Sequence, residues 1–224
     1  MKKVCVIGGS GFMGSHTADE LSRRGYAVTI FDRIASPWLR EDQEMIEGDL
    51  MDISAVKSAM SGADYVYHFA GIADIGEAKS SPYDTIESNV MGVTNTLEAS
   101  IECGVSQFVY ASTMYVYSNH GSFYRASKQA AEVIIEAYHE KFDLDFTLLR
   151  YGSLYGPRSQ DWNGMRRFAT QIIKDGRLDY SGDGCEMREY IHVHDAARLS
   201  VDVLDKQHVN SAITITGQQL LRVD

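Results

Sequence analysis

Basic charge is scarce in this sequence. Its 21 Lys and Arg are outnumbered by 31 Asp and Glu, a formal net charge of −10. Such a chain has no electrostatic footprint for nucleic acid or an anionic membrane, so any phosphate it holds must be met by a local group of arginines or by backbone amides. Cysteine is also sparse: Cys5, Cys103 and Cys185 lie far apart with no C-x-x-C pair. That argues against a disulfide framework and fits a reducing compartment, so the expected location is cytoplasmic. The N-terminal apolar run stops at Gly8 and Gly9, too early for the core of a signal peptide. No repeat or low-complexity segment occurs. Metal ligands in a usable pattern are lacking too. His192 and His194 share one face of a strand with no third ligand in sight, and zinc needs three or four. The 13 tyrosines could suggest stacking on bases, but the acidic balance points to core and pocket packing.

What is present is enough apolar content, 44% of 224 residues, to bury a sizeable core as one domain. Strand-like runs at 3–7, 27–31, 45–46, 65–69, 108–110 and 145–149 alternate with helical segments at 12–24, 52–60, 82–102 and 122–141. The 82–102 helix has Pro82 in its first turn and Gly104 beyond its end. Alternation of this length implies an α/β fold, a doubly wound parallel sheet with right-handed crossovers. After Pro157 the texture changes. A helix is expected over 164–174, a turn at Asp175-Gly176, a strand over 178–180, then Gly182-Asp183-Gly184, a strand over 188–193, a helix over 194–206 and a strand over 212–216. The predicted division is a dinucleotide-binding domain at 1–158, with 186–210 packing back on it, and a small, incomplete substrate subdomain from 159–185 and 211–224.

Two stretches carry chemistry. The first strand runs into Gly8-Gly9-Ser10-Gly11-Phe12-Met13-Gly14 and a helix. Glycines let the backbone turn tightly and approach a pyrophosphate, which the free amides of a helix N-terminus favour. The second strand ends in Asp32, eighteen residues beyond Gly14, where a carboxylate can accept hydrogen bonds from an adenosine ribose. Asp32 repels a 2′-phosphate, which favours NAD, although Arg33 partly offsets that. Ala70 and Gly71, after a central strand, leave room for a flat ligand at the carboxyl edge of the sheet. The second stretch is 108–128, where a buried strand ends in Ser112-Thr113 and is followed by Tyr124-x-x-x-Lys128 at the start of a helix. Residues four apart share a helix face, so the Lys128 ammonium can sit beside the Tyr124 phenol and lower its pKa toward working pH, as a general acid/base requires.

With Tyr124-x-x-x-Lys128 downstream of both the glycine loop and Ser112-Thr113, the chain resembles the extended short-chain dehydrogenase/reductase family, in its nucleotide-sugar epimerase/dehydratase branch. The resemblance covers nearly the whole chain, through VIGGSGFMG at 6–14, GDLMD at 48–52, HFAG at 68–71, SNVMGVTNTLEA at 88–99, ASTMYVY at 111–117, YRASK at 124–128, LRYGSLYGPR at 149–158 and GDGCEMREYIHVHDAARL at 182–199. It implies that Gly8, Gly11, Phe12, Met13 and Gly14 cradle the NAD pyrophosphate, that Asp32 with Arg33 meets the ribose, and that Asp49 and Leu50 meet the adenine. Phe69, Ala70 and Gly71 would line the dinucleotide with Asn89 nearby, as would Ala111 and Ser112. Tyr151 would lie by the nicotinamide. Thr113 would bond the reacting sugar hydroxyl, Tyr124 exchange its proton, and Lys128 hold the nicotinamide ribose. Ser153, Arg158 and Arg188 would face the nucleotide-sugar substrate, Arg188 at its diphosphate.

The 4,6-dehydratases of this branch carry an Asp-Glu pair directly after the threonine, and the related decarboxylases a Glu at the second place. Here those places hold Met114 and Tyr115. The resemblance thus implies an NAD-dependent epimerase first, an NAD(P)H-dependent 4-keto-sugar reductase as the alternative, and a non-catalytic dinucleotide sensor or scaffold as a third reading. It also implies a homodimer through the helices at 82–102 and 122–141, and relatives that continue beyond Asp224.

Overall fold

Short β-branched and apolar runs form the centre of the molecule. In a computed structural model, which describes residues 1–180, 182 and 184–222, they become β1 (Lys3–Ile7), β2 (Ala27–Asp32), β3 (Gln43–Glu47), β4 (Tyr65–His68), β5 (Gln107–Thr113), β6 (Asp145–Tyr151) and β9 (Ser211–Ile215). These make one seven-stranded sheet in the order β3-β2-β1-β4-β5-β6-β9, every neighbouring pair parallel. Strand order runs outward from β1 in one direction and from β4 in the other. Their carboxyl ends therefore open a crevice between two diverging sets of loops, the place where such sheets take ligands.

Both faces are covered, as a parallel sheet requires. Alternate side chains of each strand feed opposite cores. In β5, Phe108 and Tyr110 join Phe31, Val56, Met60, Leu97, Ile135 and Leu148 under α2 (Ile53–Ala59), α5 (Gly92–Cys103) and α6 (Ser122–Phe142). Val109 faces the other way, with Leu21, Val28, Ile30, Leu149, Ala196 and Val201 under α1 (Phe12–Arg23) and α8 (Val193–Asp202). Asp52 starts α2 by accepting from Ser54 N–H (3.0 Å) and Ala55 N–H (3.1 Å), an ordinary N-cap. A second sheet joins β7 (Ser153–Tyr155), β8 (Met187–His192) and β10 (Leu220–Arg222), with β8 central, parallel to β7 and antiparallel to β10. Beside it stands α7 (Gly164–Asp175), capped by Asn163 and ended by Gly176 in the left-handed region, with no buried residue. No helix among the described residues is long and apolar enough to cross a membrane.

Several expectations are corrected. The helix read over 82–102 is α4 (Pro82–Ile86), a π turn (Glu87–Met91) and α5, preceded by an unforeseen α3 (Ile75–Ser80); the extra residue in the π turn lets buried Asn89 reach a neighbouring loop. Residues 178–180 form no strand, since Leu178 is exposed and no strand pairs with them. The strand expected over 212–216 is β9 of the main sheet, while β10, from the same 211–224 stretch, pairs with β8 in the small sheet. The β-branched Ile213 and Ile215 of β9 pair with Leu149 and Tyr151 of β6. The helix read to 206 stops at Asp202 because Val203 turns into the core and its carbonyl accepts from Gln107. Asp183, Val223 and Asp224 lie outside the described residues.

Candidate functional site

The crevice widens into a cleft of about 2140 Å³. The glycine loop forms its floor. Gly8 sits at φ +82°, and a Cβ there would lie 2.4 Å from the Ala70 nitrogen; a Cβ on Gly14 would lie 2.2 Å from the Gly8 carbonyl oxygen. Only hydrogen fits at either place, so α1 begins hard against the end of β1. No side chain caps α1, which leaves its first-turn amides and the positive end of its dipole for an anion. Asp32, at the end of β2, is fixed by Ser10 N–H on Oδ2 (3.0 Å) and Ile34 N–H on Oδ1 (3.3 Å). Arg33, Asp49, Leu50, Phe69, Ala70 and Gly71 complete this half of the cleft.

The other half is built on β5 and α6. Ala111, Ser112 and Thr113 end β5 at the cleft wall, and Tyr124 and Lys128 face them from the first two turns of α6. Thr113 Oγ1 accepts from Tyr115 N–H (3.2 Å), which leaves its own proton to donate to the Tyr124 oxygen; the two side chains are hydrogen-bonded. Lys128 Nζ donates to the Ala111 carbonyl (2.8 Å) and lies 4.7 Å from the Tyr110 ring centroid and 5.9 Å from that of Tyr124. The expectation that Lys128 lowers the Tyr124 pKa is corrected here. Burial pushes the phenol up to about 12, with Thr113 opposing. The ammonium is bonded to a carbonyl and sits over ring faces, so desolvation outweighs it. Burial also brings Lys128 down to about 8, with the charge of Glu132 opposing.

Of the residues picked out in the sequence, all but two line this one cleft, Ser153, Tyr151 and Arg188 among them. Asn89 instead acts through the backbone. Its Oδ1 accepts from Ile72 N–H (2.7 Å) and its Nδ2 donates to the Ile72 carbonyl (2.9 Å) and Ser127 Oγ (3.0 Å). It thereby ties the loop after β4 to α6. Arg158, at φ +63°, points away, pairing with Asp19 of α1 (2.8 Å) and stacking 4.8 Å from the Trp38 ring centroid. Cleft residues that the sequence reading passed over include His120, Met165, Arg167 and Phe168. The last three are on α7, the helix expected over 164–174 in the substrate subdomain, for which no individual residue was singled out. His192 and His194 stand 4.8 Å apart, ring to ring, and no group of three potential metal ligands exists among the described residues.

Beneath Lys128 lies His68, fully buried, with neither ring nitrogen hydrogen-bonded. Burial and the Lys128 charge push it down to about 3, the Ala70 backbone opposing weakly. The folded protein therefore keeps His68 neutral while the unfolded chain protonates it below its ordinary value of 6.5. Stability should fall as pH drops through that value, by about 1.4 kcal/mol per unit, or about 2 kcal/mol at pH 5. Urea unfolding at pH 7 and pH 5 measures this; His68→Leu should flatten the slope, and an unchanged slope in that variant refutes the assignment.

The tight glycine turn, the uncapped helix, the fixed carboxylate at the end of β2 and the Thr-Tyr-Lys group fit a dinucleotide with a substrate beside its far end. Comparison with known proteins agrees. The model of the NAD dependent epimerase/dehydratase family matches residues 4–215. A dTDP-glucose 4,6-dehydratase of Streptomyces antibioticus is 30% identical, over 96% of this chain and 74% of that protein. A UDP-glucose 4-epimerase of Thermotoga maritima, solved with UDP-glucose, superposes with a TM-score of 0.92 at 26% identity, over 99% of this chain and 79% of the other. A UDP-glucuronic acid 4-epimerase of Bacillus cereus, solved with UDP-glucuronic acid and NAD, gives 0.90 at 25% identity over the same shares. The chain thus belongs to the NAD dependent epimerase/dehydratase family.

Proposed function

We propose that the protein is an NAD-dependent epimerase of a nucleotide-activated sugar. The observation that carries this reading is the Thr113-Tyr124-Lys128 group at the cleft wall, followed by Met114 and Tyr115 where the dehydratases of the branch have two carboxylates. NAD, when bound, supplies an acceptor that takes up a hydride and gives it back. The glycine loop and the first turn of α1 would hold its pyrophosphate, Asp32 its adenosine ribose and Lys128 its nicotinamide ribose. Tyr124, which burial alone holds protonated, would ionise with the positive charges of Lys128 and a bound nicotinamide beside it, and then take the proton of the sugar hydroxyl and return it to the epimeric alcohol. Thr113 donates to the phenolate oxygen, a bond that strengthens as charge develops there. With Met114 and Tyr115 next in line, no carboxylate follows Thr113 to remove water from the oxidised sugar. Ser153 and Arg188 serve the sugar-nucleotide side, Arg188 at the diphosphate.

We further infer a cytoplasmic homodimer. The outer surfaces of α4, the π turn and α6 leave Tyr83, Ile86, Met91 and Val133 exposed, an apolar set that a second copy can cover. The test is a panel of UDP-, dTDP-, GDP- and CDP-sugars followed by NMR and nicotinamide absorbance, with sedimentation of the same preparation. One pair of epimers should equilibrate with no net NADH change in a species of two chains. A 4-keto product, or one NAD(P)H consumed per turnover, overturns the epimerase reading; a single-chain mass overturns the dimer.

A further inference from the structure

The acid/base pair has a third residue behind it. Tyr124, Lys128 and Glu132 follow at four-residue steps along one face of α6. Glu132 is 7% exposed, lies outside the cleft lining, and accepts from three donors: Ser112 Oγ (2.5 Å), Arg150 Nε (3.0 Å) and Arg150 Nη2 (2.6 Å). Arg150 also donates to the Tyr117 hydroxyl. The arrangement spans two strands, since Ser112 of β5 pairs with Arg150 of β6. Each is one residue before a cleft residue, Thr113 or Tyr151.

The groups facing Lys128 are few. From α6 come Tyr124 and Glu132, from β5 the Tyr110 ring and the Ala111 carbonyl, and from β4 the neutral His68. Of these, only Glu132 is anionic. A carboxylate one turn along the helix is the natural counter-charge for a desolvated ammonium, and a bidentate guanidinium holds it in one orientation.

We propose that Glu132 is the positioning residue of this acid/base group: clamped by Arg150, it fixes through Ser112 the strand end that presents Thr113, and its negative charge keeps the buried Lys128 ammonium charged. The role in catalysis rests on the epimerase reading above; the effect on Lys128 does not.

The test is the titration of the Lys128 side chain by heteronuclear NMR, its signal assigned by loss in Lys128→Arg. In the native chain the midpoint should lie near 8. Glu132→Gln should lower it by about one pH unit, and Glu132→Asp, which keeps the carboxylate, should restore most of that shift. The alkaline limb of the kcat profile should move with the Lys128 midpoint, with KM for the sugar nearly constant. Should Glu132→Gln leave Arg150 stranded and the chain unfolded, Glu132→Gln/Arg150→Gln pairs two neutral amides and should fold with Lys128 lowered relative to Arg150→Gln alone, which keeps the carboxylate. A folded Glu132→Gln with the Lys128 midpoint unmoved, or a double variant with the midpoint of Arg150→Gln, overturns the proposal. A moved midpoint in a protein that turns over no nucleotide-sugar leaves the electrostatic link standing and removes the epimerase reading instead.

Discussion

Replacing Tyr124 with Phe should abolish turnover, by about 10²- to 10⁴-fold, while NAD stays bound. The substitution keeps the ring, its edge-on contact with Tyr115 at 6.3 Å and its place under the Lys128 ammonium. It removes only the oxygen that exchanges the proton and accepts from Thr113. Loss of that buried hydrogen bond costs about 1 kcal/mol, too little to unfold a domain of this size, so the activity loss would report chemistry rather than stability. NMR of the sugar pair that the native chain interconverts measures the first quantity, and titration with NAD the second. A variant with near-native turnover would remove Tyr124 as the acid/base. A variant that no longer binds NAD would mean the phenol is a cofactor contact first.

Gly8→Ala should be more damaging still, because it strikes fold and cofactor site together. The methyl would meet Ala70 N at 2.4 Å and the Phe69 carbonyl carbon at 2.8 Å. Both are backbone atoms just beyond β4, so they cannot swing aside as a side-chain tip can. The residue must also hold φ +82°, a conformation that a side chain disfavours. Its N–H is bonded to Phe31 O at 2.8 Å, which prevents the loop from lifting without breaking the join to β2. Together these terms should cost roughly 2–5 kcal/mol. Even a folded variant would carry a displaced turn where the pyrophosphate is to lie. Denaturant unfolding and NAD titration should both report the change; native affinity in a stable Gly8→Ala protein would show that the turn does not contact the cofactor.

The parts of this fold that depend on near neighbours in sequence were legible there. β1, the glycine turn and α1 declare themselves by apolar run, turn residues and helix periodicity within about twenty residues, and so does the Tyr124-Lys128 step. What escaped depends on distant neighbours. Three-residue strands such as β7 and β10 have too little pattern to stand out, and their pairing with β8 is a tertiary event. Arg158 follows a Pro and carries a charge suited to phosphate, yet its backbone turns it toward Asp19 and Trp38, residues far away in the chain. The Tyr124 pKa went the other way from the sequence reading because adjacency to Lys128 is local information and burial is not. Glu132 was visible as a letter four places beyond Lys128, but its worth lies in Ser112 and Arg150, brought to it by the sheet.

The π turn at Glu87–Met91 also sets a limit on length variation in this helix. It holds one residue more than an α turn would, and the surplus is spent in directing Asn89 at Ile72. Deleting a residue there would leave a regular helix by every local measure. It would also rotate one flank by about 100° against the other, so that Thr85 and the Gly92-Val93-Thr96-Leu97 face could no longer both meet the core. In this turn the tolerated change in length is zero.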